Sequence, residues 1–148
     1  MNSEDVGARL KAYQAEIKQD MVIDYVSLDD AALETPKLFG KWMEHLTNEI
    51  VRLSEVESQY KKVFKTRWAF YMGLASEDEY KKEPLRVKIN KLEVNKYLDA
   101  DDVLSEMSLR LDKQKAVVKL LEETIKTIRN RQFSIRDAID WRKFQSGS

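Results

Sequence analysis

Residues 104–128 read LSEMSLRLDKQKAVVKLLEETIKTI, and their apolar side chains recur at alternating steps of three and four residues. This spacing is typical of one face of a long α-helix that packs along a second helix. The predicted stripe consists of Leu104, Met107, Leu111, Val118, Leu121, Ile125 and Ile128, interrupted by the polar residue Gln114. Because such a seam needs a partner, we expect it to join copies of the chain, with Gln114 setting the register or the oligomeric state.

A second long helix is predicted upstream of this seam. Thr35 and Pro36 open it as a cap and a first-turn residue, and apolar residues then follow at helical spacing from Phe39 to Tyr71. The segment is far longer than the roughly 11–12 residues of an average helix, so it also needs a partner along its length. Gly73 is the predicted stop.

Shorter helices complete a fold that we predict to be all-α. Residues 4–19 show helical spacing, and Ser27 is expected to cap a short helix that ends before the long one begins. Asp99 is expected to cap the helix that carries the seam. A capping box at Ser134 predicts a separate last helix.

The chain is expected to form one domain over residues 1–148, since few glycines and prolines leave no room for a long flexible linker. Within it we expect N-terminal helices over residues 1–73, a polar linker over residues 74–98, and assembly helices over residues 99–148. Residues 85–96 alternate with period two, which leaves a short strand open as an alternative to a helix.

Composition and motifs argue against an enzyme. The chain has no cysteine and one histidine, His45, so it lacks the residues from which nucleophile–base pairs and zinc sites are usually built. No glycine-rich phosphate loop is present. The acidic cluster Asp99, Asp101 and Asp102 fits helix capping far better than a cation site. We therefore expect no catalytic residue, no metal and no cofactor. No apolar run approaches the roughly 20 residues of a membrane span, so we expect a soluble protein without membrane contact.

Charge is distributed unevenly along a chain whose formal net charge is zero. Residues 1–34 hold eight acids and three bases, whereas residues 81–96 hold six bases and two acids. An acidic front and a basic remainder favour opposed surfaces, although chance clustering on solvated helix faces explains the asymmetry equally well.

The most basic stretch is residues 58–76, SQYKKVFKTRWAFYMGLAS, which combines four cations and five aromatic rings without an acid. Cations follow a phosphate backbone and rings stack on bases, as sequence-tolerant binding of single strands requires. The candidate contact residues are Lys61, Lys62, Lys65 and Arg67, together with the rings of Phe64, Trp68 and Tyr71. Helical spacing leaves an alternative open, in which Phe64 and Tyr71 belong to the core and the cations form a solvated flank.

The chain also resembles the UvsY family of recombination mediators from T-even-type bacteriophages, with similar segments in the same order over nearly its whole length. The resemblance rests on four segments, residues 10–24, 40–43, 63–73 and 125–147. It implies a non-enzymatic, ring-like homo-oligomer of six or seven subunits in the cytoplasm of the infected bacterial host. Such a protein would bind single-stranded DNA and help the phage recombinase replace the single-strand-binding protein.

For the site, the resemblance implies DNA contact through a lysine and an arginine two residues apart, which match Lys65 and Arg67. Bulky Phe64 and Trp68 beside these cations depart from the family pattern. The C-terminal region is implicated in assembly, which agrees with the expectation for residues 99–148. The alternative from another class is a non-catalytic helical scaffold or adaptor that oligomerises without binding nucleic acid.

Overall fold

The two long apolar stripes pack against each other as antiparallel helices in the computed structural model, which describes residues 3–147. Helix α2 (Leu28–Tyr71) and helix α5 (Asp102–Gln145) contain 44 residues each, so each is about 66 Å long. The shorter helices are α1 (Ser3–Asp20), α3 (Glu77–Lys82) and α4 (Val94–Asp99). Residues 3–147 contain no β-strand, and the ends of the predicted domain, residues 1–2 and 148, lie outside the described range.

The main core lies where α1 packs against the α2–α5 hairpin. It consists of Val6, Trp42, Leu46, Val117, Val118, Leu121, Ile125 and Ile128. Four predicted seam residues belong to this cluster, and Leu104 is buried in a second one near the start of α5. The expectation that the seam lacks a partner within the chain is therefore wrong, because its partners are α1 and α2. Met107 and Leu111 are partly buried, and a role of the C-terminal helix in assembly stays a prediction.

A polar cluster crosses the middle of this core. Gln114 Nε2 donates hydrogen bonds to the backbone oxygen of Glu49 (3.0 Å) and to its Oε2 (2.7 Å). Arg9 donates to Gln114 Oε1 at 2.8 Å, and both Tyr13 (3.1 Å) and Arg52 (2.7 Å) donate to Glu49 Oε1. Gln114 therefore sets the register of α5 against α1 and α2 within one chain.

The hydrogen bonds of this cluster also shift two pKa values. Burial alone would raise the pKa of Glu49, but hydrogen bonds from Gln114 and Tyr13 and the charges of Arg9 and Arg52 hold it below its usual range. Burial and the neighbouring Glu49 carboxylate raise the pKa of Tyr13 to about 12.

Neither of the two predicted helix breaks occurs. Helix α2 begins at Leu28 and continues through Pro36, because Leu28, Ala31 and Thr35 are buried on the side that packs. Helix α5 likewise continues past Ser134, since Arg131 and Ile135 on either side of it are buried.

Arg131 also joins α5 to the end of α1. Its Nη1 donates to the backbone oxygens of Asp20 and Val22, both at 3.3 Å. Unpaired carbonyls at a helix end need such donors, so Arg131 satisfies the C-terminal end of α1.

The predicted linker contains two short helices instead of a strand. Of residues 85–96, residues 85–93 form an irregular segment and the last three begin α4, with Ile89 and Val94 buried in the second apolar cluster. The cap of α5 is Asp101 rather than Asp99, because Asp101 Oδ1 accepts the hydrogen bond of the Leu104 amide at 2.9 Å. Within residues 3–147, no helix is long and apolar enough to cross a membrane.

Candidate nucleic-acid interface

Three lysines on the last turns of α2 form an exposed basic flank, which comprises Lys61, Lys62 and Lys65. Lys61 and Lys65 are one helical turn apart and therefore share one side of the helix. All three side chains are exposed, and none of them makes an ion pair within the part of the chain that the structure describes. This flank offers three uncompensated positive charges on a rigid helix.

The fourth predicted cation, Arg67, is in a different environment. Its side chain is 13% exposed and lies between two carboxylates. Arg67 Nε donates to Asp101 Oδ2 at 2.7 Å, while Nη1 and Nη2 donate to the two oxygens of Glu83 at 2.9 and 3.0 Å. The hydrogen bonds that Arg67 donates to Glu83, Tyr71 and Asp101 raise its pKa further above its usual value.

Asp101 connects this arginine to the start of α5. Besides Arg67 and the Leu104 amide, its carboxylate accepts a hydrogen bond from the Tyr71 hydroxyl at 2.7 Å. Burial alone would raise the pKa of Asp101, but these three donors together hold it below its usual range. Burial and the Asp101 carboxylate raise the pKa of Tyr71. Arg67, Tyr71 and Asp101 therefore fasten the end of α2 to the cap of α5.

Of the three predicted stacking rings, Phe64 is the exposed one, at 39%. Trp68 and Tyr71 are partly buried and pack against the second apolar cluster of Ile89, Val94, Leu98 and Leu104. Tyr71 also has its hydroxyl bound to Asp101. Phe64 is thus available to a base, and the other two rings contribute to packing.

The basic stretch after α3 lies beside the same end of α2. Ile89 is buried in the cluster against which Trp68 packs, and this contact holds the segment in place. Arg86, Lys88 and Lys91 on this segment are exposed. The structure therefore brings a second group of cations to the end of the hairpin that carries the exposed basic flank.

The two acidic partners of Arg67 were not predicted as part of the site. Asp101 belongs to the acidic cluster for which the sequence predicts helix capping, but a capping signal does not indicate the contact with Arg67. Glu83 gives no such signal, because its role depends on the path of the chain after α3. Both residues contact Arg67 from distant positions, 34 and 16 residues along the chain.

The remaining candidates for chemistry have structural surroundings. His45 contacts the rings of Tyr13 and Trp42 edge to face, with centroids 5.2 Å away in both cases. Among the described residues, no group of three or more histidines, aspartates or glutamates is placed to hold a metal ion.

Both the sequence and the fold are similar to those of known proteins. The family described as "Recombination, repair and ssDNA binding protein UvsY" matches residues 16–148. One crystal structure of the bacteriophage T4 recombination mediator protein UvsY superposes with a TM-score of 0.82, at 24% identity over 92% of this chain and 96% of that one. A second lattice of the same T4 protein gives a TM-score of 0.80, at 25% identity over 89% and 97%. No curated protein matches the chain.

Proposed function

The chain belongs to the UvsY family of recombination, repair and single-stranded-DNA-binding proteins, and on this premise we propose that it is a mediator that loads a phage recombinase. In this proposal it binds single-stranded DNA and promotes the replacement of the single-strand-binding protein by the recombinase. The observation that carries the proposal is the exposed basic flank of Lys61, Lys62 and Lys65, whose charges no acid neutralises within the described residues.

The chemistry of this flank suits a flexible, sequence-tolerant ligand. Ammonium groups are mobile point charges, so they follow phosphates without requiring one backbone geometry. Phe64 adds an exposed ring beside Lys65, and stacking of one base on such a ring is worth roughly 1–3 kcal/mol. Arg67 is proposed as a further phosphate contact, and in the free chain its guanidinium is bound by Glu83 and Asp101.

The proposal includes a homo-oligomer of six or seven subunits. Large apolar side chains are exposed at the end of the hairpin opposite to the basic flank: Val26, Leu33, Phe133, Trp141 and Phe144. The rings of Trp141 and Phe144 stack on each other with centroids 5.5 Å apart, which forms an aromatic surface on α5. We assign subunit contact to this end, which leaves the basic flank of each subunit open to DNA and to protein partners in the host cytoplasm.

Fluorescence anisotropy with a labelled single-stranded oligonucleotide tests the proposal. We expect binding that weakens steeply with salt, and a Lys61→Gln/Lys65→Gln variant should lose about 0.7 in salt slope for each lost phosphate contact. Lys115→Gln/Lys119→Gln is the matched control, since these two lysines are also exposed and one turn apart on the other long helix. Absence of binding by the unmodified protein at low salt would support the helical scaffold instead.

The loading step needs its own readout. The recombinase's DNA-dependent ATPase activity on oligonucleotide coated with single-strand-binding protein should rise when this protein is added, and rise less with Lys61→Gln/Lys65→Gln. If the variant and the unmodified protein stimulated the ATPase activity equally, loading would not depend on the exposed basic flank.

A further inference from the structure

The two edges of the Arg67 guanidinium have different partners. Asp101, whose side chain is 2% exposed, accepts from the inner Nε edge. Glu83, whose side chain is 56% exposed, accepts from the outer fork formed by Nη1 and Nη2. The inner contact positions the guanidinium, and the outer contact occupies the edge that faces solvent.

The outer edge is the one that a phosphate would use. Arginine binds carboxylates and phosphates through the same pair of parallel N–H groups, so one ligand excludes the other. If Glu83 left, Arg67 would keep its position through Asp101 and present both outer nitrogens to a new anion.

Few contacts hold Glu83 and the helix before it. Helix α3 has six residues and none of them is buried. Its other anchor is Tyr80, whose hydroxyl donates to the backbone oxygen of Phe70 at 2.7 Å and whose ring stacks on that of Phe70. Residues 74–83 therefore form a strap across the end of α2, which Glu83 holds through Arg67 just before Leu85 packs against the second apolar cluster.

We propose that Glu83 closes the outer fork of Arg67 in the free protein, and that a phosphate of single-stranded DNA displaces it and releases the strap. The proposal rests on the DNA-binding function proposed above. Glu83 also lowers the local positive charge, because Arg67 and Asp101 neutralise each other and Glu83 is an additional anion beside the exposed basic flank. Displacement thus adds a phosphate contact and removes a repulsive charge in the same step.

Glu83→Gln tests the competition directly. Because the competitor is removed while the bound state is unchanged, affinity for the oligonucleotide should rise roughly three- to tenfold with the same salt slope. The control is Glu79→Gln, an exposed carboxylate on helix α3 just before Glu83, which should change affinity by less than about twofold. An equal gain in affinity for both variants would mean that only the loss of a negative charge matters, whichever carboxylate is removed. A salt slope steeper by about 0.7 for Glu83→Gln would show that Arg67 does not reach DNA in the unmodified protein.

Two further measurements separate this proposal from the function on which it rests. In an Arg67→Gln background, adding Glu83→Gln should raise affinity by no more than the Glu79→Gln control does, whereas a full gain of roughly three- to tenfold there would show that Glu83 does not act through Arg67. Hydrogen exchange of the unmodified protein should become faster in residues 77–83 when oligonucleotide is added, and slower exchange would overturn the release of the strap. Binding without either effect refutes the role of Glu83 alone, while no binding at all refutes the function.

Discussion

At the scale of single residues, neighbouring acids decide which cations can act in the free protein. Lys61 and Lys65 make no ion pair with a carboxylate within the described residues. Arg67 carries the same charge but has Asp101 and Glu83 against it. Removing Arg67 would therefore disturb the cap of α5 as well as any DNA contact, and the lysines are the cleaner test of binding.

The buried carboxylate of Glu49 gives a prediction of pH dependence. Since the pKa of Glu49 is lowered in the folded chain, its contribution to stability is complete above the unfolded pKa and is lost as the pH falls through the folded one. Glu49→Gln should lower the free energy of unfolding at pH 7, by up to about 3 kcal/mol, and lose less stability on acidification. Urea unfolding at pH 7 and near pH 3.5 measures both effects.

The control for this prediction is Glu55→Gln, an exposed carboxylate on the same helix. It should leave both the stability and the acid dependence close to those of the unmodified protein. If the free energy of unfolding of Glu49→Gln fell on acidification as much as that of the unmodified protein, Glu49 would not be a source of the acid dependence.

At the scale of elements, packing outweighs local signals for helix ends. A proline inside a helix removes one backbone hydrogen bond and costs about 3 kcal/mol, yet α2 continues through Pro36. The turns on both sides of it bury Leu28, Ala31, Thr35 and Phe39 at least in part against the rest of the chain. The same reasoning applies at Ser134, whose capping signal lies between buried turns of α5.

Pro36→Ala should therefore stabilise the protein. It restores the backbone hydrogen bond, and part of the gain is offset because the unfolded chain becomes more flexible. We expect an increase of about 1–2 kcal/mol, seen as a rise of several degrees in Tm by calorimetry. Lys37→Ala, an exposed neighbour on the same turn, is the control and should leave Tm nearly unchanged. A lower Tm for Pro36→Ala would mean that the helix needs the distortion that proline imposes.

At the scale of the whole molecule, the hairpin separates two kinds of surface. The exposed basic flank and the strap lie at the end where α2 leads into α5, and the exposed rings of Phe133, Trp141 and Phe144 lie at the other end, roughly 60 Å away along the helices. Deleting residues 104–148 would remove the core partners of α1 and α2, so it would unfold the subunit and reveal nothing about assembly. Point substitutions at the aromatic end are the informative change.

Trp141→Ser/Phe144→Ser should dissociate the proposed oligomer while the subunit stays folded, since both side chains are exposed. Mass photometry gives the number of subunits, and circular dichroism checks the helix content. Val103→Ser/Leu109→Ser, two exposed apolar residues at the other end of α5, should leave the mass unchanged. If the second pair dissociates the oligomer and the first does not, subunit contact lies at the opposite end from the one proposed.

The helical class, the two long apolar stripes and the candidate cations can all be read from the order of the residues, because periodicity and charge are properties of neighbouring residues. Which surfaces these features contact follows from the folded arrangement. In the folded chain the stripe of residues 104–128 packs against α1 and α2, and both long helices continue past their predicted breaks. Glu83 and Asp101 form ion pairs with Arg67. These outcomes depend on contacts between residues far apart in the chain, and local propensities of a few kcal/mol yield to the burial that such contacts provide.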